Sequence, residues 1–201
     1  MIENEIKLEV SSGEDFRRIL EFFSACATEE SRDVLVNYYL DTENLALAKQ
    51  LIMIRVRSAK KNFLTFKNGT QIEDGYFRST EIEVELDALQ LDEALANPCV
   101  LFEWNVEPIQ ELERQIGRVE LELIGKLENE RTRLRVDDHL VELDRMRFPD
   151  LSEEYEIELE SERPEEAREW CLTRLSKLGV EVSPSTRTKF HRLLGKMGKA
   201  D

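Results

Sequence analysis

Histidine is almost missing from this sequence: His139 and His191 are the two present in 201 residues, which leaves hardly any material for a Cys/His zinc cluster. Cysteine is scarce too. Cys26, Cys99 and Cys171 are odd in number, far apart and set in apolar surroundings such as FFSACA and EWCLTRL, the pattern of buried reduced thiols rather than of disulfides or a metal site. Eight glycines and five prolines are too few for a low-complexity or extended protein. No hydrophobic run approaches the length of a membrane span. The start MIENEIK has neither the basic region nor the apolar stretch of a signal peptide, so a soluble cytoplasmic protein with no membrane partner is expected. Positive charge is in deficit, 28 Lys and Arg against 43 Asp and Glu for a net charge of -15, so no nucleic-acid partner is expected either.

What is abundant is charge of both signs. At 35% charged and 41% hydrophobic the chain is charge-rich for a globular domain yet too apolar for a disordered one. Its length fits one domain, residues 1–201, with a sizeable core. The charges are patterned. In MIENEIKLEV, Glu3, Glu5, Lys7 and Glu9 alternate with Ile6, Leu8 and Val10, which in a strand puts ions on one face and apolar groups on the other.

Later segments repeat this alternation. IMIRVRS sets Arg55 and Arg57 against Ile54 and Val56, NFLTFKN follows with Lys67, and STEIEVELD sets Glu81, Glu83 and Glu85 against Ile82, Val84 and Leu86. NERTRLRV carries Arg131, Arg133 and Arg135, LVELDRM carries Glu142 and Asp144, and EYEIELES carries Glu156, Glu158 and Glu160. Each reads as an antiparallel strand. Helices are predicted from Gly13 to Ala27, where Phe16, Ile19, Leu20 and Phe23 form one stripe, and from Pro164 to a stop at Gly179. LDALQLDEALANP and VEPIQELERQIG read as shorter helices. No strand–helix alternation of the parallel kind occurs, so the fold class is α+β, an antiparallel sheet system with helices packed outside.

Any one such strand reads most simply as half-exposed, its ions meeting water. The difficulty is cumulative, because carboxylates lined up on several strands repel one another. If the sheet closes into a barrel with helices over its apolar exterior, the ionic faces line a channel. Arg55, Arg57, Lys67 and Arg131 suit an extended polyanion. The clustered glutamates suit hard divalent cations, most naturally Mg2+, which commonly bridges carboxylates and phosphates.

The E-x-E-x-K of Glu3, Glu5 and Lys7 resembles the signature of the triphosphate tunnel metalloenzymes, the CYTH superfamily. The likeness runs in order through YYLDTENLAL, IMIRVR, LTFKNG, TEIEVE, VELD, YEIELE and PSTRTKFHRLL, nearly the whole chain. It implies an eight-stranded antiparallel β-barrel, a tunnel that binds a triphosphate with one or two divalent ions, Mg2+ or alternatively Mn2+. By position, Glu3, Glu5, Glu156 and Glu158 resemble the ligands of a phosphate-bridging metal. Lys7, Arg55, Arg57, Lys67 and Arg131 resemble the phosphate grip. Glu81, Glu83, Glu142 and Asp144 would add acidic lining near a second, catalytic metal, with Glu81 and Glu142 as ligands and Glu83 and Asp144 nearer the chemistry. Arg78 and Arg133 are compatible with the tunnel.

In STRTKF, Lys189 falls where family hydrolases carry a lysine proposed to help activate water, with Arg187 two residues earlier as a further substrate contact. Cations around Lys189 would lower its pKa and permit base function, whereas carboxylates would raise it; a phosphate clamp and a metal-held water stand as equal alternatives. His139 is expected at an exposed turn, His191 as a surface or packing residue, and Trp104 and Trp170 in packing roles. The close of the chain resembles the compact inorganic tripolyphosphatases, which implies hydrolysis of tripolyphosphate to pyrophosphate and phosphate. A nucleoside or thiamine triphosphatase, a class IV adenylate cyclase and a non-catalytic polyphosphate-binding module are the rival readings. The family also admits a homodimer.

Overall fold

The computed structural model describes residues 2–199. Eight long strands form, seven on the alternating segments and β2 on a stretch where no alternation was read: β1 (Ile2–Val10), β2 (Glu29–Asp41), β3 (Ile52–Ser58), β4 (Asn62–Glu73), β5 (Tyr76–Leu86), β6 (Glu122–Val136), β7 (His139–Arg147) and β8 (Glu153–Glu160). They pair antiparallel in the order β5-β4-β3-β2-β6-β7-β8-β1, and β1 pairs again with β5, Glu3 opposite Ser79 and Glu5 opposite Phe77, which closes the ring. Closure removes both sheet edges and turns every inward-facing position toward a shared interior.

A ninth strand, β9 (Val182–Pro184), pairs with Leu8–Val10 along the edge that β5 has left. The resemblance implies eight strands, and this ninth one, three residues long, is too short to display an alternation. At this seam Lys7 is pinned on both sides of its peptide: its N–H donates to Gly75 O at 2.8 Å, and its carbonyl accepts from Ser185 N at 2.9 Å. Gly75 shares the β4–β5 turn with Asp74, both at positive φ (83° and 49°), as a tight Asp-Gly hairpin requires. A Cβ on Gly75 would stand 2.8 Å from the Lys7 carbonyl oxygen, so this turn can lie against β1 only without a side chain.

Four helices cover the outer face. α1 (Gly13–Cys26) begins at Ser12, whose hydroxyl accepts from Asp15 N at 3.1 Å, and with α4 (Pro164–Leu178) it buries Ile6, Leu8, Val141, Leu143 and Ile157 under Phe16, Phe23, Cys171 and Leu175. α2 (Ala88–Ala96) and α3 (Glu107–Ile116) cover Ile54, Val56, Leu64 and Phe66. Each such aliphatic or aromatic burial stabilises by about 1.5–3 kcal/mol. Trp170 packs on Phe23 and on His139, ring centroids 5.9 and 4.2 Å away, and Trp104 packs against the second core, as expected of both tryptophans.

α5 (Lys189–Lys196) departs from the expected arrangement of helices on the outside. Its Phe190, Leu193 and Leu194 pack with Tyr39, Leu127 and Met146, which face into the ring, so α5 plugs one end of the barrel. Tyr39 and Phe190 stack with centroids 4.7 Å apart. All three cysteines are free; Cys171 is buried, its thiol pushed up to about 12 by burial, but Cys26 is exposed at the last residue of α1. Among the described residues no helix is long and apolar enough to cross a membrane.

Candidate functional site

The inward faces enclose a cavity of about 280 Å3. β1 contributes Glu3, Glu5 and Lys7; β3 contributes Arg55 and Arg57; β4 Lys67; β5 Glu81 and Glu83; β6 Arg131; β7 Glu142; and β8 Glu158. Lys189 enters from the first turn of α5. The period-2 geometry that separates ions from apolar groups on each strand is thus what gathers these side chains around one space.

Three expected site residues stand elsewhere. Asp144 and Glu156 are 0% exposed, set behind the lining rather than in it. Arg187 is exposed and does not line the cavity. Spacing of two from Lys189 would share a face in a strand, but Thr188 is the N-cap of α5 and Lys189 already lies in the helix, so the strand rule fails there. Arg78 is exposed as well, on the outward face of β5, while Arg133 is half-buried between Glu142 (2.8 Å) and Asp33 (3.0 Å).

Each lysine bridges carboxylates. Lys67 Nζ lies 2.8 Å from Glu3, 3.4 Å from Glu5 and 3.1 Å from Glu81. Lys7 Nζ lies 2.7 Å from Glu5 and 2.6 Å from Glu158. Lys189 Nζ lies 2.8 Å from Asp144, 2.8 Å from Glu156 and 2.5 Å from Glu158. Arg131 grips Asp144 through two nitrogens, Nε at 2.7 Å and Nη2 at 2.5 Å, and also reaches Glu158 and Glu142. The fork geometry of guanidinium and carboxylate makes this a rigid joint.

The opposite wall is less compensated. Arg55 stands 3.7 Å from Glu81 and 3.8 Å from Glu83, and donates to Thr65 Oγ1 at 3.3 Å, while Thr65 donates to Glu83 at 2.7 Å. Arg57 donates from Nε to the amide oxygen of Asn37 at 3.2 Å. Among the described residues no carboxylate forms an ion pair with it. Burial, then Arg55 and Arg131, push its pKa down to about 10. Arg55 Nε and Asn129 Oδ1 are buried without a hydrogen-bond partner.

Titration follows the same asymmetry. Burial alone would lower Lys189, but Asp144, Glu156 and Glu158 outweigh it and raise the pKa, so the ammonium stays charged. The alternative in which Lys189 is surrounded by cations does not hold. Burial would raise Glu158, yet Lys189, Lys7 and Arg131 hold it well below the usual carboxylate range; Asp144 is likewise held at about 2, by Arg131 and Lys189 against burial. Glu156 is raised, because burial there exceeds the pull of Lys189 and Arg192.

Oxygen atoms of Asp144, Glu156 and Glu158 lie within 4.8 Å of one another, one from each residue. An all-carboxylate donor set fits a hard divalent cation. The grouping differs from the expected Glu3, Glu5, Glu156 and Glu158. Register explains this: Asp144 is directly opposite Glu156, and Glu158 follows on the same face, whereas Glu3 is drawn away to Lys67 near the β1–β5 closure.

Sequence reading passed over Arg192. It is buried at 2% exposure, contacts Glu156 Oε2 and lies 3.4 Å from Glu154. Its spacing of three from Lys189 would have marked it had residues 189–196 been read as a helix. Asn37, Thr65 and Asn129 were missed because they carry no charge, although they share the inward parity of Tyr39, Lys67 and Arg131.

The CYTH domain family matches residues 1–189 of the chain. Among solved structures, HpAC1 from Hippeastrum, described as having a dominant triphosphatase activity, is similar at 25% identity and a TM-score of 0.87, over 99% of this chain and 97% of that one. A candidate adenylate cyclase from Bacillus halodurans is similar at 22% identity and a TM-score of 0.74, over 95% and 97%. The capping enzyme triphosphatase of mimivirus shares the fold at 11% identity and a TM-score of 0.53, over 88% and 89%. No curated protein matches the chain.

Proposed function

The chain belongs to the CYTH domain family, and we propose that it is a metal-dependent triphosphatase that hydrolyses inorganic tripolyphosphate to pyrophosphate and phosphate. The observation that carries this reading is Arg57. A half-buried guanidinium held beside two other arginines, offset only in part by Glu83 and Glu81 and with no carboxylate at ion-pair distance among the described residues, is a costly arrangement, and an oligophosphate entering the cavity would relieve it. The similar Hippeastrum structure, with its dominant triphosphatase activity, supports the same class of substrate.

Arg55 and Arg57 would take phosphate oxygens first, since they are the least compensated cations. Arg55 Nε, buried and unpaired, offers one donor directly. Lys7, Lys67 and Arg131 would join by leaving their carboxylates. Lys189, charged and aimed into the cavity, serves as a clamp on the phosphoryl group rather than as a general base. Glu158, with Glu3 and Glu5 on the β1 side, would hold a divalent cation from the cavity wall, with Asp144 and Glu156 standing behind it; Glu81, Glu83 and Glu142 are the acidic lining for a second. Bound there, Mg2+ or Mn2+ supplies Lewis acidity and a more acidic water. The protein's share is to neutralise charge, align the terminal phosphoryl for in-line attack and exclude bulk water at the α5 end.

An inorganic substrate is favoured by the rings that line the cavity. Tyr39 and Phe190 stack on each other, and Phe77 lies under the Lys7 ammonium, 5.2 Å from its centroid. All three are buried, Tyr39 at 2%, Phe77 at 3% and Phe190 at 4% exposure, which leaves little ring surface for a nucleobase or thiazole. The test is incubation of the purified protein with tripolyphosphate, ATP and thiamine triphosphate, each with Mg2+, with Mn2+ and without metal, followed by product identification. Phosphate released from tripolyphosphate alone is the expected result. Cyclic AMP with pyrophosphate would replace the reading by a cyclase, and binding without turnover by a polyphosphate-binding module.

A further inference from the structure

Arg192 is a buried cation that the hydrolytic scheme above leaves without a role. Its side chain is 1% exposed and reaches the barrel wall from inside the plug. It contacts Glu156 Oε2, while Lys189, three residues earlier on α5, lies 2.8 Å from Glu156 Oε1. One helix therefore claims both oxygens of one carboxylate. Behind them Arg192 (3.4 Å) and Lys196 (3.0 Å) share Glu154, which fastens the same helix face to β8. Glu156 does not line the cavity, whereas Lys189 does.

The path Arg192–Glu156–Lys189 thus runs from the plug core to the cavity. A carboxylate facing a single cation holds it with its whole charge; a second cation on its other oxygen divides that hold and fixes the plane of the group. We infer that Arg192 is a positioning residue: acting through Glu156, it sets where the Lys189 ammonium stands and leaves it free enough to turn onto a phosphoryl oxygen. This rests on the triphosphatase reading for its kinetic consequence, but the geometry it describes is independent of the substrate.

The test is a double-mutant cycle on the Mg2+-loaded protein with tripolyphosphate. Arg192→Met is expected to lower kcat by about tenfold or more with KM nearly unchanged, and Arg192→Lys to recover most of the loss. If the effect passes through Glu156, the pair Arg192→Met/Glu156→Gln is no slower than Glu156→Gln alone. Losses that multiply in the double variant, or a change confined to KM, would overturn the inference. Should Arg192→Met fail to melt cooperatively, the double variant, which removes both charges, and Arg192→Lys still give the comparison. Should the wild type fail to hydrolyse tripolyphosphate, the triphosphatase reading falls by itself, and the 15N resonance of Lys189 Nζ becomes the readout. It is expected to shift in Arg192→Lys, and an unchanged resonance would count against the Arg192 path.

Discussion

Lys7 and Glu158 face each other in the β1–β8 register, and their side chains meet inside the barrel with Nζ 2.6 Å from Oε1. The same carboxylate is reached by Arg131 and Lys189, both at 2.5 Å. Glu158 is therefore the point at which the β1, β6 and α5 contributions to the cavity are joined, one anion shared by three cations.

Glu158→Gln removes that shared charge while keeping the shape. Tripolyphosphate hydrolysis with Mg2+ is expected to fall by about 100-fold or more, with far-UV circular dichroism unchanged. Glu5→Gln, which frees one side of Lys7, is expected to act in the same direction. Steady-state rates decide the matter, and full activity in both variants would remove these residues from the metal-binding set.

Arg57 should behave in the opposite way toward stability. Burial, with Arg55 and Arg131, lowers its pKa toward about 10, so keeping it charged at neutral pH costs the ligand-free fold. Arg57→Met is expected to melt no lower than the wild type, and by this sign higher, while tripolyphosphate affinity drops by about tenfold or more for the lost charge-assisted contacts. Calorimetric titration and thermal melting on the same samples give both numbers. A variant with wild-type affinity would dispose of Arg57 as a phosphate contact.

The strands were legible because their alternation is a backbone property: Glu3, Glu5 and Lys7 had to share a face whatever the tertiary fold. Barrel closure followed from repulsion among aligned carboxylates, together with the family resemblance. What was not legible depended on contacts between elements distant in sequence. The plug lies in STRTKFHRLLGK, too short and too basic to announce which end of a barrel it would enter. Arg187 was misplaced because the strand-to-helix change at Thr188 alters the spacing rule in mid-motif. The grouping of Asp144 with Glu156 needed the β7–β8 register, which no local pattern encodes.

Acid should loosen the cluster through Asp144. Its folded pKa of about 2 lies below the ordinary value of 3.8, because Arg131 and Lys189 outweigh burial. A depressed carboxylate contributes stability that is full above its unfolded pKa and is lost as pH falls toward the folded one, here on the order of 2 kcal/mol between about pH 4 and pH 2. Glu3 and Glu156, both raised by burial, run the other way and are relieved on protonation. Urea midpoints measured from about pH 5 downward are expected to fall less steeply in Asp144→Asn than in the wild type. Parallel slopes would show that another group carries the acid transition.

Lys67 makes the last prediction. Its ammonium compensates Glu3, Glu5 and Glu81 at once, so a divalent cation arriving alone must displace it, and a triphosphate arriving alone must draw it off, leaving Glu5 to Lys7 and Glu81 to Arg55. When both arrive, the partners are exchanged: phosphate takes the lysine and the cation takes the carboxylates, leaving no buried charge uncompensated. Mn2+ and tripolyphosphate together are therefore expected to raise the melting temperature of the wild type by more than the sum of their separate shifts. In Lys67→Met the carboxylates have already lost the Lys67 ammonium, while Glu5 keeps Lys7 and Glu81 keeps Arg55. Mn2+ alone should then stabilise the variant more than it stabilises the wild type, and the excess from adding tripolyphosphate should shrink. Equal Mn2+ shifts in the two proteins, read by differential scanning fluorimetry, would show that Lys67 does not stand in for the metal.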